Sequence, residues 1–210
     1  MAKAGQQKRG AGRPTEGAVG REAVLQAATR LLRDLPPARV TVSLIAREAG
    51  VDPALVRYYF GDRANLLLAV VDHMISSMPW EASSQADPVA ALTERITNTS
   101  RFTRSAKNMH RLMVDELADA KSADVRERLR EMNLRAVDLF KDLIDQDGGA
   151  ELRPVDPFFL HLALIGMFDF FLSAQPVVRS LAPKDADMDE LAQGFEAFVV
   201  DLVLNGVRKR

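Results

Sequence analysis

An all-α fold is what the pattern of this chain predicts, on three observations. Apolar residues recur at three- and four-residue steps through successive tracts. Gly and Pro punctuate those tracts where helices should begin and end. No run of alternating β-branched residues marks a strand, and no internal repeat is evident. With 210 residues, 47% hydrophobic and 27% charged, the chain has material for one good-sized domain or two small ones. That balance excludes a mainly disordered protein.

Residues 1–19, rich in Gly, Ala, Lys and Arg without an apolar period, read as a flexible basic arm. From Arg21 the pattern turns helical, with Val24, Leu25, Ala28, Leu31, Leu32 and Leu35 in phase until Pro36-Pro37 stops it. Thr41 stands where an N-cap belongs, before a short helix with Leu44, Ile45 and Ala49 on one face. Gly50 ends that helix as a residue tolerant of positive φ. Asp52 caps the next and Pro53 opens it, running to about Phe60. Gly61-Asp62 then breaks the chain and caps a longer helix carrying Leu66, Leu67, Val70, Val71, Met74, Ile75 and Met78, which Pro79 ends before a polar linker. Four further tracts follow at about 88–119 (broken near 106–109), 123–146, 157–175 and 187–206. The expected division is an arm at 1–19, a three-helix unit at 20–65 and a larger helical domain at 66–210.

Several classes of chemistry are excluded. The absence of cysteine removes disulfides, thiolate nucleophiles and Cys-ligated zinc. His73, His110 and His161 are not spaced as a familiar metal site, and neither a phosphate-binding Gly-rich loop nor a nucleophile motif is present. His110 with Asp115 or Glu116 is a stray acid–base pair that nothing orients. No catalytic residue, metal or cofactor is therefore expected. The N-terminus lacks the apolar stretch of a secretory signal. The most apolar segment, Phe158 to Ala174, is interrupted by His161 and Asp169 and falls short of the roughly 20 apolar residues of a membrane span. A soluble, cytoplasmic protein is expected.

A formal net charge of −1 conceals an asymmetry. Residues 1–63 hold eleven Lys and Arg against six Asp and Glu, whereas the remainder is acidic. A polyanion-binding module on a carrier domain would look like this, and so would a charged solvated tail. Residues 41–60 narrow the choice. Two short helices joined by a tight turn around Gly50-Val51-Asp52 have the layout of a helix-turn-helix. Small residues at Ala46, Ala49 and Gly50 let the helices cross closely, while Ile45, Val51, Val56 and Phe60 supply a shared core. The second helix is short enough to enter a major groove about 12 Å wide. Pattern alone leaves open an ordinary helical hairpin.

The residues Ile45-Ala46-Arg47-Glu48-Ala49-Gly50-Val51-Asp52, then Leu55-Val56-Arg57-Tyr58-Tyr59-Phe60-Gly61-Asp62-Arg63 and Leu66-Leu67, resemble the signature of the tetracycline-repressor (TetR) family. The likeness runs without a gap from about Arg21 to Leu67; the rest matches in length and helix count. There are departures. Asp52 replaces the usual Ser, Arg57 a Tyr, Tyr59 a His and Arg63 a Lys, so no particular operator sequence carries over. The resemblance implies an N-terminal three-helix helix-turn-helix DNA-binding domain and a larger helical ligand-binding and dimerisation domain. On that footing Thr41 and Ser43, at a helix N-terminus, would hold a phosphate. Tyr59 would donate to another, and Arg63 would reach one by charge. Arg57 and Tyr58 are the candidates for base edges, with Pro53, Ala54 and Leu55 against thymine methyls. In the arm, Arg9-Gly10-Ala11-Gly12-Arg13-Pro14 loosely resembles a minor-groove hook, with Arg13 as the inserted side chain, although a solubilising tail would read the same way.

One helix-turn-helix touches few base pairs, so pairing on a palindromic operator is expected, with two heads about 34–36 Å apart. Phe158, Leu162, Ile165, Phe195, Phe198, Val199 and Leu202, on the last two tracts, are the expected homodimer interface; packing within one subunit is the alternative. Phe102, Met109, His110, Met113, Phe140, Met167 and Phe168 with Asp169 could surround an unknown small-molecule effector, though each also suits a core. The expected function is a homodimeric transcriptional regulator acting as a repressor released by a small, largely apolar effector. A DNA-binding architectural protein without an effector is the alternative.

Overall fold

The computed structural model describes residues 16–77, 87–106 and 108–209, with side chains from Gly20 onward, and is all-helical apart from one isolated bridge. Helix α1 (Glu16–Asp34) starts a few residues inside the expected arm. A 3-10 turn (Pro37–Arg39) leads to α2 (Val42–Ala49), α3 (Pro53–Phe60) and α4 (Arg63–Ser76). Then come α5 (Pro88–Ser105), α6 (Met109–Arg111) continuing as a π-helical turn (Leu112–Leu117), and α7 (Ala123–Asp147). The chain closes with α8 (Pro157–Ser173), α9 (Gln175–Leu181) and α10 (Met188–Val207). Arg13, and the expected end of α4 at Met78-Pro79, lie outside the described residues.

Local chemistry explains the breaks. Thr41 Oγ1 accepts from the Leu44 N–H at 3.2 Å, and the Asp62 carboxylate accepts from Asn65 N–H at 2.8 Å. Asp87, Asp156 and Asp187 cap α5, α8 and α10 in the same manner. The polar break expected near 106–109 falls between α5 and α6. Helix α9 was not expected; Pro176 opens it in a stretch too short for a periodic signal. The π-helical turn was also unforeseen, and Ala118 N–H donates to the Met113 carbonyl five residues back.

Packing divides the molecule into two clusters. The first joins Val24, Leu25, Ala28 and Leu32 of α1 to Ile45 and Ala46 of α2, Val56 and Phe60 of α3, and Leu66, Leu67 and Val71 of α4. It continues into Met109, Leu112, Leu117 and the start of α7 at Val125 and Leu129. Burying each of these leucines contributes about 1.5–3 kcal/mol, so the N-terminal three helices are not held together by their own contacts alone. The second cluster joins Leu92 and Ile96 of α5, Phe140 of α7, Leu164 and Phe168 of α8, and Val199, Val203 and Val207 of α10.

The far end of that second cluster is tied by backbone. Arg153 N–H donates to the Val207 carbonyl and Lys209 N–H to that of Glu151, both at 2.8 Å, so the α7–α8 loop and the chain after α10 pair antiparallel. Asp147 organises the loop. Its carboxylate accepts from the Leu152 N–H at 3.0 Å and the Glu151 N–H at 3.1 Å, and these bonds, Leu152's first, hold the carboxyl below the usual aspartate value. No single helix among the described residues is long and apolar enough to cross a membrane.

Candidate nucleic-acid interface

The turn between α2 and α3 follows from three residues. Gly50 takes φ +68° and ψ 31°, the left-handed conformation, and its N–H returns to the last turn of α2. Val51 N–H donates to the Ala46 carbonyl at 3.0 Å. Asp52 then caps α3 through the Ala54 N–H, with Pro53 at the first helical position. Val56 and Phe60 are buried, which rotates the other side of α3 outward. Ala54, Arg57 and Tyr58 form the resulting exposed stripe, at the three- and four-residue spacing of one helix face. Tyr58 is 82% exposed, the most open of the tyrosines and phenylalanines on the described helices. Pro53 and Leu55 flank the stripe, half-buried. Thr41 and Ser43 are exposed at the N-terminus of α2.

The two tyrosines separate. Tyr59 is half-buried against the first cluster, its ring 5.6 Å from that of Tyr58, and its hydroxyl lies over Gly20 of α1. A Cβ on Gly20 would stand 3.1 Å from that oxygen, so the glycine makes room for it. Arg63 departs from expectation. Its guanidinium donates to the Pro37 carbonyl at 2.8 Å, more weakly to that of Val40 at 3.4 Å, and pairs with the Glu116 carboxylate. It is drawn toward the protein rather than held out for the expected phosphate: the carbonyls at 37 and 40 and a carboxylate take three of its five N–H donors. Sequence reasoning passed over Arg39 and Arg47, both exposed on the same unit. Neither is in an ion pair among the described residues, whereas Arg30 pairs with Glu48 at 3.4 Å. Uncompensated arginines within the motif were the signal for them.

An eight-residue helix presenting a polar-aromatic stripe, set by a capped turn on a second eight-residue helix and braced by α1 and α4, defines a helix-turn-helix protein. Comparison with known proteins specifies which kind. Residues 24–70 match the model for bacterial regulatory proteins of the tetR family, and residues 88–203 match a tetracyclin repressor-like C-terminal domain. The chain belongs to the TetR family, a family of regulators rather than enzymes. It is similar to the HTH-type transcriptional regulator BetI of Rhizobium meliloti (strain 1021), 37% identical over 79 residues. That match spans 38% of this chain and only 39% of the relative. Among solved structures, a putative transcriptional regulator from Saccharomonospora viridis in complex with choline is 18% identical with a TM-score of 0.63, covering 90% of this chain and 98% of that one. The regulator FadR from Bacillus subtilis, in complex with stearoyl-CoA, is 16% identical with a TM-score of 0.61, covering 85% and 97%. At such identities the likeness is one of fold.

The body holds the remaining expected residues. Of the expected effector set, Phe102, Met109 and Met113 pack in the first cluster and Phe140, Met167 and Phe168 in the second. His110 is exposed and Asp169 half-buried on α8. Six of these eight residues thus divide between two packing clusters. A groove of about 410 Å³ lies between the end of α8 and the start of α10, floored by Phe171, Leu191 and Phe195 with Asp187 and Glu190 beside them. The Phe171 and Phe195 rings stack there at 4.8 Å. His161 sits 5.9 Å from the Phe140 ring, and burial holds its imidazole below the ordinary histidine value.

Of the expected interface set, Phe158, Leu162, Phe198 and Leu202 are exposed, each by about half, while Ile165 and Phe195 are half-buried. Val199 is fully buried in the body's own core, which corrects its place in that set: one helical step from Phe198 turns it inward. Phe159 and Phe170, both more than 60% exposed, extend the apolar face beyond what was expected.

Proposed function

We propose that this protein is a homodimeric, sequence-specific DNA-binding transcriptional regulator, acting as a repressor that a small, largely apolar effector releases. The observation that carries the reading is the Ala54–Arg57–Tyr58 stripe on α3, solvated on a helix whose opposite side is locked into a core. Arg57 would read guanine in the major groove and Tyr58 and Ala54 would contact neighbouring bases. Thr41 and Ser43, with Arg39 and Arg47, would hold phosphates, and Tyr59 would act from the edge of the helix. Residues 20–65 serve as the reading head, 66–210 as the sensing and dimerising body, and Arg13 in the preceding arm as a minor-groove contact.

Homodimerisation is supported by the exposed apolar face that α8 and α10 share, because a monomer rarely leaves so many large side chains in water. An effector is supported by the relatives solved with choline and with stearoyl-CoA. The groove at Phe171, Leu191 and Phe195 is within the roughly 300–1,000 Å³ usual for small-molecule sites. Selection of bound duplexes from a random pool tests the reading. Enriched sites with dyad symmetry, retarded in a steeply salt-dependent manner, are expected. Failure to enrich any motif would overturn it. Choline, stearoyl-CoA and free stearate, added to the retarded complex, test release.

A further inference from the structure

We infer that Arg63 is a positioning residue, through which the body, by way of Glu116, sets the start of the first helix of the helix-turn-helix. This rests on the DNA-binding reading for its consequence but not for its geometry. Arg63 is the first residue of α4, yet its three contacts all lie elsewhere: Pro37 and Val40 in the turn before α2, and Glu116 in the π-helical turn after α6. The Arg63 side chain is 35% exposed and that of Glu116 17%, so the pair is partly shielded from solvent.

What the clamp holds is specific. The chain from Pro37 to Val40 forms one 3-10 turn, closed by Val40 N–H on the Pro37 carbonyl at 3.0 Å. The next residue is Thr41, whose hydroxyl caps α2. By binding carbonyls at both ends of that turn, the planar Arg63 fork determines where Thr41, Ser43 and the N-terminal amides of α2 stand. Glu116 orients and neutralises the fork. The same body segment grips the head a second time: Asn108 donates to the Leu32 and Leu35 carbonyls at the end of α1, at 2.6 and 3.2 Å. The π-helical turn matters because its i→i+5 bonding offsets Glu116 from the place a regular helix would give it.

A positioning role and a phosphate contact make opposite predictions. Arg63→Gln and Glu116→Gln would each speed amide hydrogen exchange at residues 40–44 without DNA, while melting temperatures stay near that of the intact protein. Each would weaken binding to the selected operator, Arg63→Gln by roughly tenfold as charged hydrogen bonds are lost, and the double variant would be no worse than Arg63→Gln alone. The phosphate contacts displaced with Thr41 and Ser43 carry no charge, so specific and non-specific binding would weaken together at an unchanged salt slope, and the unaltered melting temperature separates this from destabilisation. Unchanged exchange at residues 40–44 would overturn the inference. So would a salt slope reduced by about one in Arg63→Gln, the mark of a lost phosphate contact, or tighter operator binding by Glu116→Gln. If the intact protein enriches no operator, the DNA-binding reading fails, and hydrogen exchange still decides the clamp.

Discussion

Phe170→Ala should dissociate the proposed dimer. Phe170 is 63% exposed in the single chain. A phenylalanine presents about 150–250 Å² in all, so roughly 100–150 Å² of this ring awaits a cover. At about 25 cal/mol per Å², covering it is worth about 2.5–3.5 kcal/mol, and an alanine would retain about 0.5–1 kcal/mol of that. A two-fold interface contains the residue twice, which brings the loss to about 4–5 kcal/mol per dimer. That is at least about a thousandfold in the dimer dissociation constant. Sedimentation velocity across a nanomolar-to-micromolar dilution series reads it directly. Because the ring is in water in the protomer, the fold of the variant should melt where the parent does when both are monomeric.

Leu134→Ala is the control. Leu134 is also exposed, at 42%, but on α7 rather than on α8 or α10. It should leave the dimer constant within about a factor of two, as expected of a surface substitution outside the contact. Two results would refute the reasoning. A parent protein that sediments as a monomer throughout would mean that the α8–α10 face has another cover. A Leu134→Ala effect as large as that of Phe170→Ala would mean that the contact lies elsewhere.

Other outcomes follow from the same geometry. Arg57→Ala should leave the melting temperature unchanged, since the side chain is exposed and in no ion pair among the described residues, yet relax base preference at one position per half-site by about 1–3 kcal/mol; selected sites with an unaltered consensus would count against it. Deleting residues 1–14 should weaken operator binding and lower the salt slope, and equal affinity at several salt concentrations would exclude a docked arm. Asp147 has a folded-state value below its ordinary 3.8, so its stabilisation is full above that value and is lost as pH falls through the lower folded one. Asp147→Asn should therefore flatten the acid limb of a melting-temperature profile, and an unaltered limb would contradict the loop assignment. His161 is depressed by burial, so the folded state resists protonation and stability should decline as pH drops below the ordinary value of 6.5; His161→Gln, which carries no titrating ring, should remove that decline.

The parts legible in the sequence were those whose causes are local. Thr41, Gly50, Asp52 and Asp62 announce caps and turns within four residues of themselves, and the structure places each as expected. The parts that were not legible depend on distant partners or on phase. Arg63 has the charge and position of a phosphate contact; the Pro37 and Val40 carbonyls and Glu116, at least 23 residues away in the chain, draw it inward. Phe198 and Val199 are equally apolar neighbours, and the body's packing decides that one is 59% exposed and the other buried. The expected effector residues were chosen for size and adaptability, properties that core residues share, and the fold divided them between two cores. Tyr58 and Tyr59 could be told apart only once Gly20 of α1 was seen beneath Tyr59.

That division into two cores bears on how the proposed regulation could work. The proposed head at residues 20–65 does not pack by itself: it shares its core with α4, α6 and the first turns of α7. The proposed dimer face belongs to the other cluster, on α8 and α10. In the proposed dimer the distance between the two heads would be set by how one cluster sits on the other, and α5 and α7 run through both. The Arg104–Glu196 pair, at 2.9 Å, ties the end of α5 to α10 within this region. An effector that alters head spacing must prefer one seating of the clusters over the other, and its differential affinity bounds the shift, typically 1–3 kcal/mol. A ligand wholly inside one cluster, changing neither α5 nor α7, would have no lever on the DNA-reading stripe. Release of operator should therefore track substitutions along these two helices more closely than substitutions at the turn between α2 and α3.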